Sequence, residues 1–256
     1  SQENKSKLGK AIFYTASTAI GALFGSLHGV YKKITKKEKN IKFIIEPAEG
    51  DLVRLRIMKI TEPADRIKAA VLVPLGHAVA DVVAAQGIPV VVPVKKPKLW
   101  SPESPFLYDV VYEVTDAAGN VLDKVDAYVG MRKIHIDGTQ IYLNNKPYYQ
   151  RLVLDQGFYP DGVWTAPSDA ALKWDIEMSM AAGFNGARLH QKVFEERFYY
   201  WADKLGYLVW GEMASWGKNS SSVAAARNFI SEWTNIVVRD RNHPALVTWT
   251  PFNEEW

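Results

Sequence analysis

The sequence predicts a chain of α and β structure in two parts: an immunoglobulin-like β-sandwich, followed by the first half of a (β/α)8 TIM barrel. Three observations lead there. Short β-branched runs separated by turns fill residues 41 to about 140, the pattern of an antiparallel sandwich. From about Tyr148 the apolar spacing lengthens to that of helices. From there to the end, strands and helices alternate, the order of a parallel α/β fold.

Residues 1–40 do not read as a complete domain, and 41–140 and 141–256 are taken as the sandwich and the barrel part. In the sandwich, Leu52–Ile60 alternates, and Ala69–Val73 and Val90–Val94 are β-branched runs. Tyr108–Val114 and Val121–Val129 flank the turn residues Ala117, Ala118, Gly119 and Asn120, which predicts a hairpin.

In the barrel part, Gln150–Leu154 is the first strand. Ser168 is an N-cap with Asp169 behind it, and Leu172, Ile176 and Met180 repeat at helical spacing until Gly183. Phe184–Leu189 is the second strand. A helix with Phe198, Trp201 and Leu205 on one face ends at Gly206, and Tyr207–Glu212 is the third strand. Ser221 and Ser222 open the last helix, with Phe229, Trp233 and Ile236/Val237 inward. It closes at Asn242-His243-Pro244, and Leu246–Phe252 is the fourth strand. No Gly-rich first turn favours a dinucleotide fold. A full barrel needs about 250 residues, so four strands make half of one. Its open edge leaves apolar surface uncovered, from which homo-oligomerisation or poor solubility is expected.

Composition excludes several classes. The net charge is +3 and the basic excess sits near the start, including Lys32, Lys33, Lys36, Lys37 and Lys39, without a nucleic-acid reading module. No cysteine is present, so disulfides and thiolate metal sites are excluded. The apolar stretch Ala11–Tyr31 is interrupted by Thr, Ser, His and Gly and does not read as a membrane span. His77, His135 and His243 are isolated, so no catalytic metal and no cofactor are expected. Compartment is left open, with a cytoplasmic setting favoured over export.

Barrel enzymes place their reactive groups at the C-terminal ends of strands. Here the four ends deliver Asp155-Gln156-Gly157-Phe158-Tyr159, Arg188-Leu189-His190, Trp210-Gly211-Glu212 and Asn253-Glu254-Glu255-Trp256. Each alone is as readily a helix cap or surface charge. Together they mark one rim.

The segment Asp240 to Glu254, DRNHPALVTWTPFNE, closely resembles the acid/base signature of glycoside hydrolase family 2. Leu99-Trp100-Ser101-Pro102 and Pro105-Phe106-Leu107-Tyr108 are similar to its immunoglobulin-like domain, and Gly130-Met131-Arg132-Lys133-Ile134 to the join with the barrel. Arg151 to Gly157 and Phe184 to Arg188 with His190 resemble its barrel segments, and Ile12 to Thr15 the end of its preceding jelly-roll. The resemblance implies a retaining hydrolase of β-linked galactosides, glucuronides or mannosides, with carbohydrate as partner and neither nucleic acid nor membrane.

It also implies roles. Glu254 becomes the general acid/base, protonating a poor alkoxide leaving group as an oxocarbenium-like transition state forms. Asn253 becomes the contact to the sugar 2-hydroxyl. Arg188 orients the carboxylate opposite, and His190, Glu212 and Trp216 belong to the sugar site or its support. The jelly-roll is represented by a remnant only, later strands are not represented, and the nucleophile falls outside this sequence. Two rivals remain open. One is a non-catalytic carbohydrate-binding or scaffold fragment. The other is an inverting or lyase-type site using Glu254 with Glu212, to be decided by their separation.

Overall fold

The computed structural model describes residues 43–47, 52–57, 66–73, 77–84, 89–94, 96–115, 118–217 and 222–254, the strands before Val94 by their backbone pairing. The chain divides into two compact units. One takes in residues up to Lys98 with Leu107–Met131 and Val237–Asn242; the other takes in Leu99–Phe106, Arg132–Ile236 and His243–Trp256. The expected jelly-roll remnant at 1–40 lies outside the described residues.

The first unit is antiparallel. β1 (Phe43–Pro47), β2 (Leu52–Ile57) and β5 (Pro89–Pro93) form a three-stranded sheet in the order β1-β2-β5. β3 (Arg66–Val73), β4 (His77–Ala84), β6 (Tyr108–Thr115) and β7 (Val121–Val129) form a four-stranded sheet in the order β4-β3-β6-β7. The β6–β7 hairpin stands where the turn residues predict it. Tyr108, Val110 and Tyr112 alternate into the core, with Tyr108 opposite Val129 and Tyr112 opposite Val125. The strand period of two produces that burial. Burial also raises the pKa of the Tyr112 phenol.

The second unit begins with β8 (Ile134–Asp137), β9 (Gln140–Leu143) and β10 (Lys146–Pro147), an antiparallel trio. Asn144 and Asn145 join β9 to β10 with φ of 52° and 63°, the backbone a type I′ turn requires and asparagine tolerates. β11 (Leu152–Asp155), β12 (Gly186–Leu189), β13 (Leu208–Glu212) and β14 (Leu246–Thr250) then form one parallel sheet in chain order. The helices between them are α1 (Asp169–Ala181), α2 (Glu196–Leu205) and α3 (Val223–Asp240).

Local chemistry explains the helix limits. Ser168 Oγ accepts the Ala171 N–H and opens α1, and Ser222 Oγ does the same for Ala225 in α3. Gly206 ends α2 at φ 80°; a Cβ there would lie 2.3 Å from the Pro102 carbonyl oxygen, so only glycine fits.

Leu172, Ile176, Phe198, Tyr199, Ala202, Ala187, Leu189 and Leu208 make the core of this unit. Complete burial of one such large side chain is worth about 1.5–3 kcal/mol. Met180, expected on the inward stripe of α1, is 37% exposed. It sits in the last turn, and the buried stripe ends at Ile176. Phe229 stacks on Phe252 and Trp233 meets Trp249 edge-on, so α3 turns these two of the expected residues to β14 and the segment after it.

The entry to β14 is held from several directions. Arg132 donates to Pro244 O (2.9 Å) and Leu246 O (2.5 Å), and desolvation lowers its pKa to about 10. Asp203 accepts the Ala245 N–H at 2.9 Å and faces His243 Nδ1 at 2.5 Å. Trp100 Nε1 donates to the Asp203 backbone carbonyl. His243, isolated in sequence, is thus a buried structural partner.

Candidate active site

Alternation along the parallel strands sets the site. Ala187 and Leu189 are buried in the core, so Arg188 between them projects from the opposite face of the sheet, in register with Trp210. Its guanidinium donates through Nε to Glu212 Oε2 at 2.6 Å and through Nη2 to Asn253 Oδ1 at 2.7 Å. One cation therefore joins the ends of β12, β13 and β14.

Glu212 is 1% exposed. Its second oxygen accepts the Gln191 N–H at 3.0 Å, and His190 Nδ1 stands 3.0 Å away, within ion-pairing distance but off the axis of a hydrogen bond. Both carboxylate oxygens are engaged, which is how a buried charge is tolerated. Asn253 is oriented by the same contact. Arginine only donates, so Oδ1 faces it and the Nδ2 donor is turned elsewhere. The Asn253 N–H reaches Ser215 Oγ at 3.3 Å.

In front of this network lies a cleft of about 530 Å³ lined by Gln156, Phe158, Trp164, His190, Trp216, Asn253 and Glu254, among others. Glu254 is exposed and has φ 52°; Gln191, also on the cleft, has φ 55°. Left-handed backbone at non-glycine residues costs on the order of 1 kcal/mol or more and collects at functional sites. A larger hollow of about 720 Å³ lies beside β11 and Trp210, but Arg188 is its only charged lining residue.

The structure brings His190, Trp216, Asn253 and Glu254 to one cleft and sets Arg188 and Glu212 behind it. Glu212, expected among sugar-site or supporting residues, is sealed off from the cleft by its own partners. Trp216 is 79% exposed at the cleft. Sequence reasoning passed over Gln191 and Lys192, which directly follow the second strand end. Their position after Arg188-Leu189-His190 was the one available signal.

Other charged groups near β11 support its exit loop. Burial raises the pKa of Asp155, although it accepts the Gly157 N–H. Tyr159 donates to Asp175, and its phenol is raised by burial and that carboxylate. Among the described residues no three His, Asp or Glu side chains converge as a metal site.

A parallel α/β sheet with charged groups gathered at its strand ends defines an enzyme-like rim. Residues 32–132 match the family model described as Glycosyl hydrolases family 2. A β-galactosidase from Pseudoalteromonas haloplanktis is 32% identical over 169 residues, 63% of this chain and 16% of the relative. A β-galactosidase from Photobacterium profundum is 30% identical over 168 residues, with 63% and 16% covered. Among solved structures, β-glucuronidase from Ruminococcus gnavus in complex with uronic deoxynojirimycin superposes with a TM-score of 0.74 at 26% identity. That superposition covers 86% of this chain and 38% of that one. The chain is thus similar to glycosyl hydrolase family 2 proteins over much of its length, and it spans about a sixth of the length of these curated relatives.

Proposed function

We propose that this chain supplies the acid/base half of a retaining β-glycosidase site, with Glu254 as the proton donor. The observation that carries the reading is Arg188, which ties buried Glu212 to Asn253, the residue before Glu254, at the mouth of the cleft. Glu254 protonates the glycosidic oxygen as the bond to carbon breaks, and then takes a proton from the incoming water. Asn253 Nδ2 is the donor left for a sugar hydroxyl, and His190 and Trp216 line the ring's surroundings. The substrate is a β-linked glycoside of the galactoside, glucuronide or mannoside kind.

The architecture fits this reading. Sheets ordered β1-β2-β5 and β4-β3-β6-β7 suit an immunoglobulin-like sandwich, assigned here to residues 41–140. The four parallel strands suit the first half of a (β/α)8 barrel over 141–256.

Retention needs a second carboxylate about 5–5.5 Å from the first. Among the described residues lining the cleft, Glu254 is the only carboxylate. Glu212 has both oxygens engaged behind the cleft, which argues against an inverting or lyase-type pair with Glu254. The single carboxylate also supports a second reading, carbohydrate binding without turnover. On either reading the chain binds β-glycosides.

The deciding experiment replaces Glu254 by Gln in the active protein containing this chain. Turnover of alkyl or sugar leaving groups should fall by about 10²–10⁴-fold, since protonation is worth that much. Nitrophenyl glycosides, whose leaving group needs little protonation, should lose far less. Equal losses for both would remove Glu254 as the acid.

A further inference from the structure

Two adjacent residues hold two of the loops that line the cleft. Gln191 Oε1 accepts the N–H groups of Ser215 and Trp216, at 2.9 and 3.1 Å. Lys192 Nζ donates to the carbonyls of Gly157 and Trp164, at 3.0 and 2.7 Å. Trp216 and Trp164 both line the cleft, together with Phe158, whose ring lies 5.9 Å from that of Trp164.

The Lys192 clamp is built into the fold rather than laid on its surface. Lys192 is 7% exposed, and its ammonium sits 4.6 Å from the Phe194 ring centre and 3.7 Å from Glu195 Oε2. A buried ammonium is tolerated only where its donors are taken, and here two go to carbonyls of one loop. Gly157 admits that approach, because a Cβ there would meet Lys192 Nζ at 2.8 Å and Phe194 Cζ at 2.7 Å. The same loop is pinned again where Ala166 N–H donates to Glu195 Oε1. Val163, a β-branched residue at φ 55°, closes the turn that presents Trp164. β-branched side chains resist that backbone, so the loop's shape is imposed by its anchors.

We propose that Gln191 and Lys192 are positioning residues that set the gap between two aromatic walls, Trp216 on one side and Phe158–Trp164 on the other. This gap forms a subsite for the flat ring of the substrate's leaving group. The inference rests on the glycosidase reading, because Glu254 on the same cleft defines which part of the substrate leaves. Aromatic faces pack against flat apolar surfaces, an aryl ring or the C–H face of a second sugar.

The test titrates the protein by tryptophan fluorescence with methyl, phenyl and galactosyl β-D-thiogalactopyranosides, which share one sugar and differ in the group it carries. The phenyl compound should bind more tightly than the methyl compound. Trp164→Ala should cut that advantage by about fivefold, the order expected for one ring-on-ring contact, while methyl affinity stays within about twofold. Lys192→Met should reproduce this selective loss, and Lys192→Arg, which keeps a donor for the carbonyls, should restore much of it. An advantage for the galactosyl compound that falls with the phenyl one assigns the subsite to rings of either kind. A fall for phenyl alone assigns it to aryl groups.

An unchanged phenyl-to-methyl ratio in Trp164→Ala would overturn the subsite. Parallel loss of both ligands in Lys192→Met would reduce Lys192 to a purely structural residue and overturn its positioning role. Failure of all three compounds, and of their β-D-glucuronide and β-D-mannoside counterparts, to bind the unaltered protein would, by contrast, sink the glycosidase reading beneath it.

Discussion

Two buried carboxylates in the same unit meet opposite fates. Asp203 lies beside the entry to β14, with one oxygen on the Ala245 N–H and the other on His243, itself buried. Glu212 lies at the far end of β13, with one oxygen on the Gln191 N–H and the other on Arg188. Each carboxylate is satisfied, so the difference lies in the partner. His243 is sealed in with Asp203, stacked on Tyr199. The Arg188 side chain is 29% exposed and passes its second branch on to Asn253 at the cleft. A buried charge whose partner is also buried serves the fold; one whose partner reaches outward can serve a ligand.

That contrast can be broken by substitution. Asp203→Ala strands His243 and the Ala245 N–H in the core and should cost about 3–5 kcal/mol, the usual loss when one member of a buried pair is removed. The midpoint of urea unfolding measures it. A loss below about 1 kcal/mol would mean the pair is not the anchor of β14.

Arg188→Met comes next. It leaves Glu212 charged and uncompensated, and water reaching the site limits the loss to about 2–3 kcal/mol. Adding Glu212→Gln in the same chain removes the stranded charge and should recover most of that stability. β-Glycoside affinity should not return, because Asn253 has lost its orienting donor. Recovery of both properties together would erase the distinction between the two carboxylates.

The smallest effect concerns a carboxylate near the surface. Asp169, in the first turn of α1, accepts hydrogen bonds from Arg197 and Trp201, and the Arg197 contact is the main cause of its lowered pKa. Its stabilisation is therefore present above the unfolded carboxyl value, about 3.9, and is lost as pH falls through the lower folded value. Asp169→Asn should flatten that acid limb of the stability curve and cost less than about 1 kcal/mol at neutral pH, as exposed pairs do. A larger change at pH 7 would place Asp169 with the buried pair.

The alternation of strand and helix after Tyr148 was readable because each helix carries at least one local start or stop: Ser168, Gly206 and Ser222 act where the residue types say they should. Strand limits moved by one or two residues, as with Gly186–Leu189 in place of Phe184–Leu189. β1, β4 and the short strands β8, β9 and β10 went unpredicted. Among the described residues β1 and β4 are edge strands, each paired on one side only. Among site residues, the rim itself was legible from four strand ends. The inward burial of Glu212 was not, because it depends on Arg188, a partner far away in sequence. Gln191 and Lys192 gave no periodic signal, since their contacts are to backbone groups of other loops.

The left-handed backbone at Glu254 has a consequence for how this chain tolerates change. Its φ of 52° suits asparagine or glycine better than glutamate. A search for sturdier variants would therefore favour replacing the very side chain proposed to donate the proton. If Glu254 has the proposed role, selection for durability and selection for chemistry pull in opposite directions at this position.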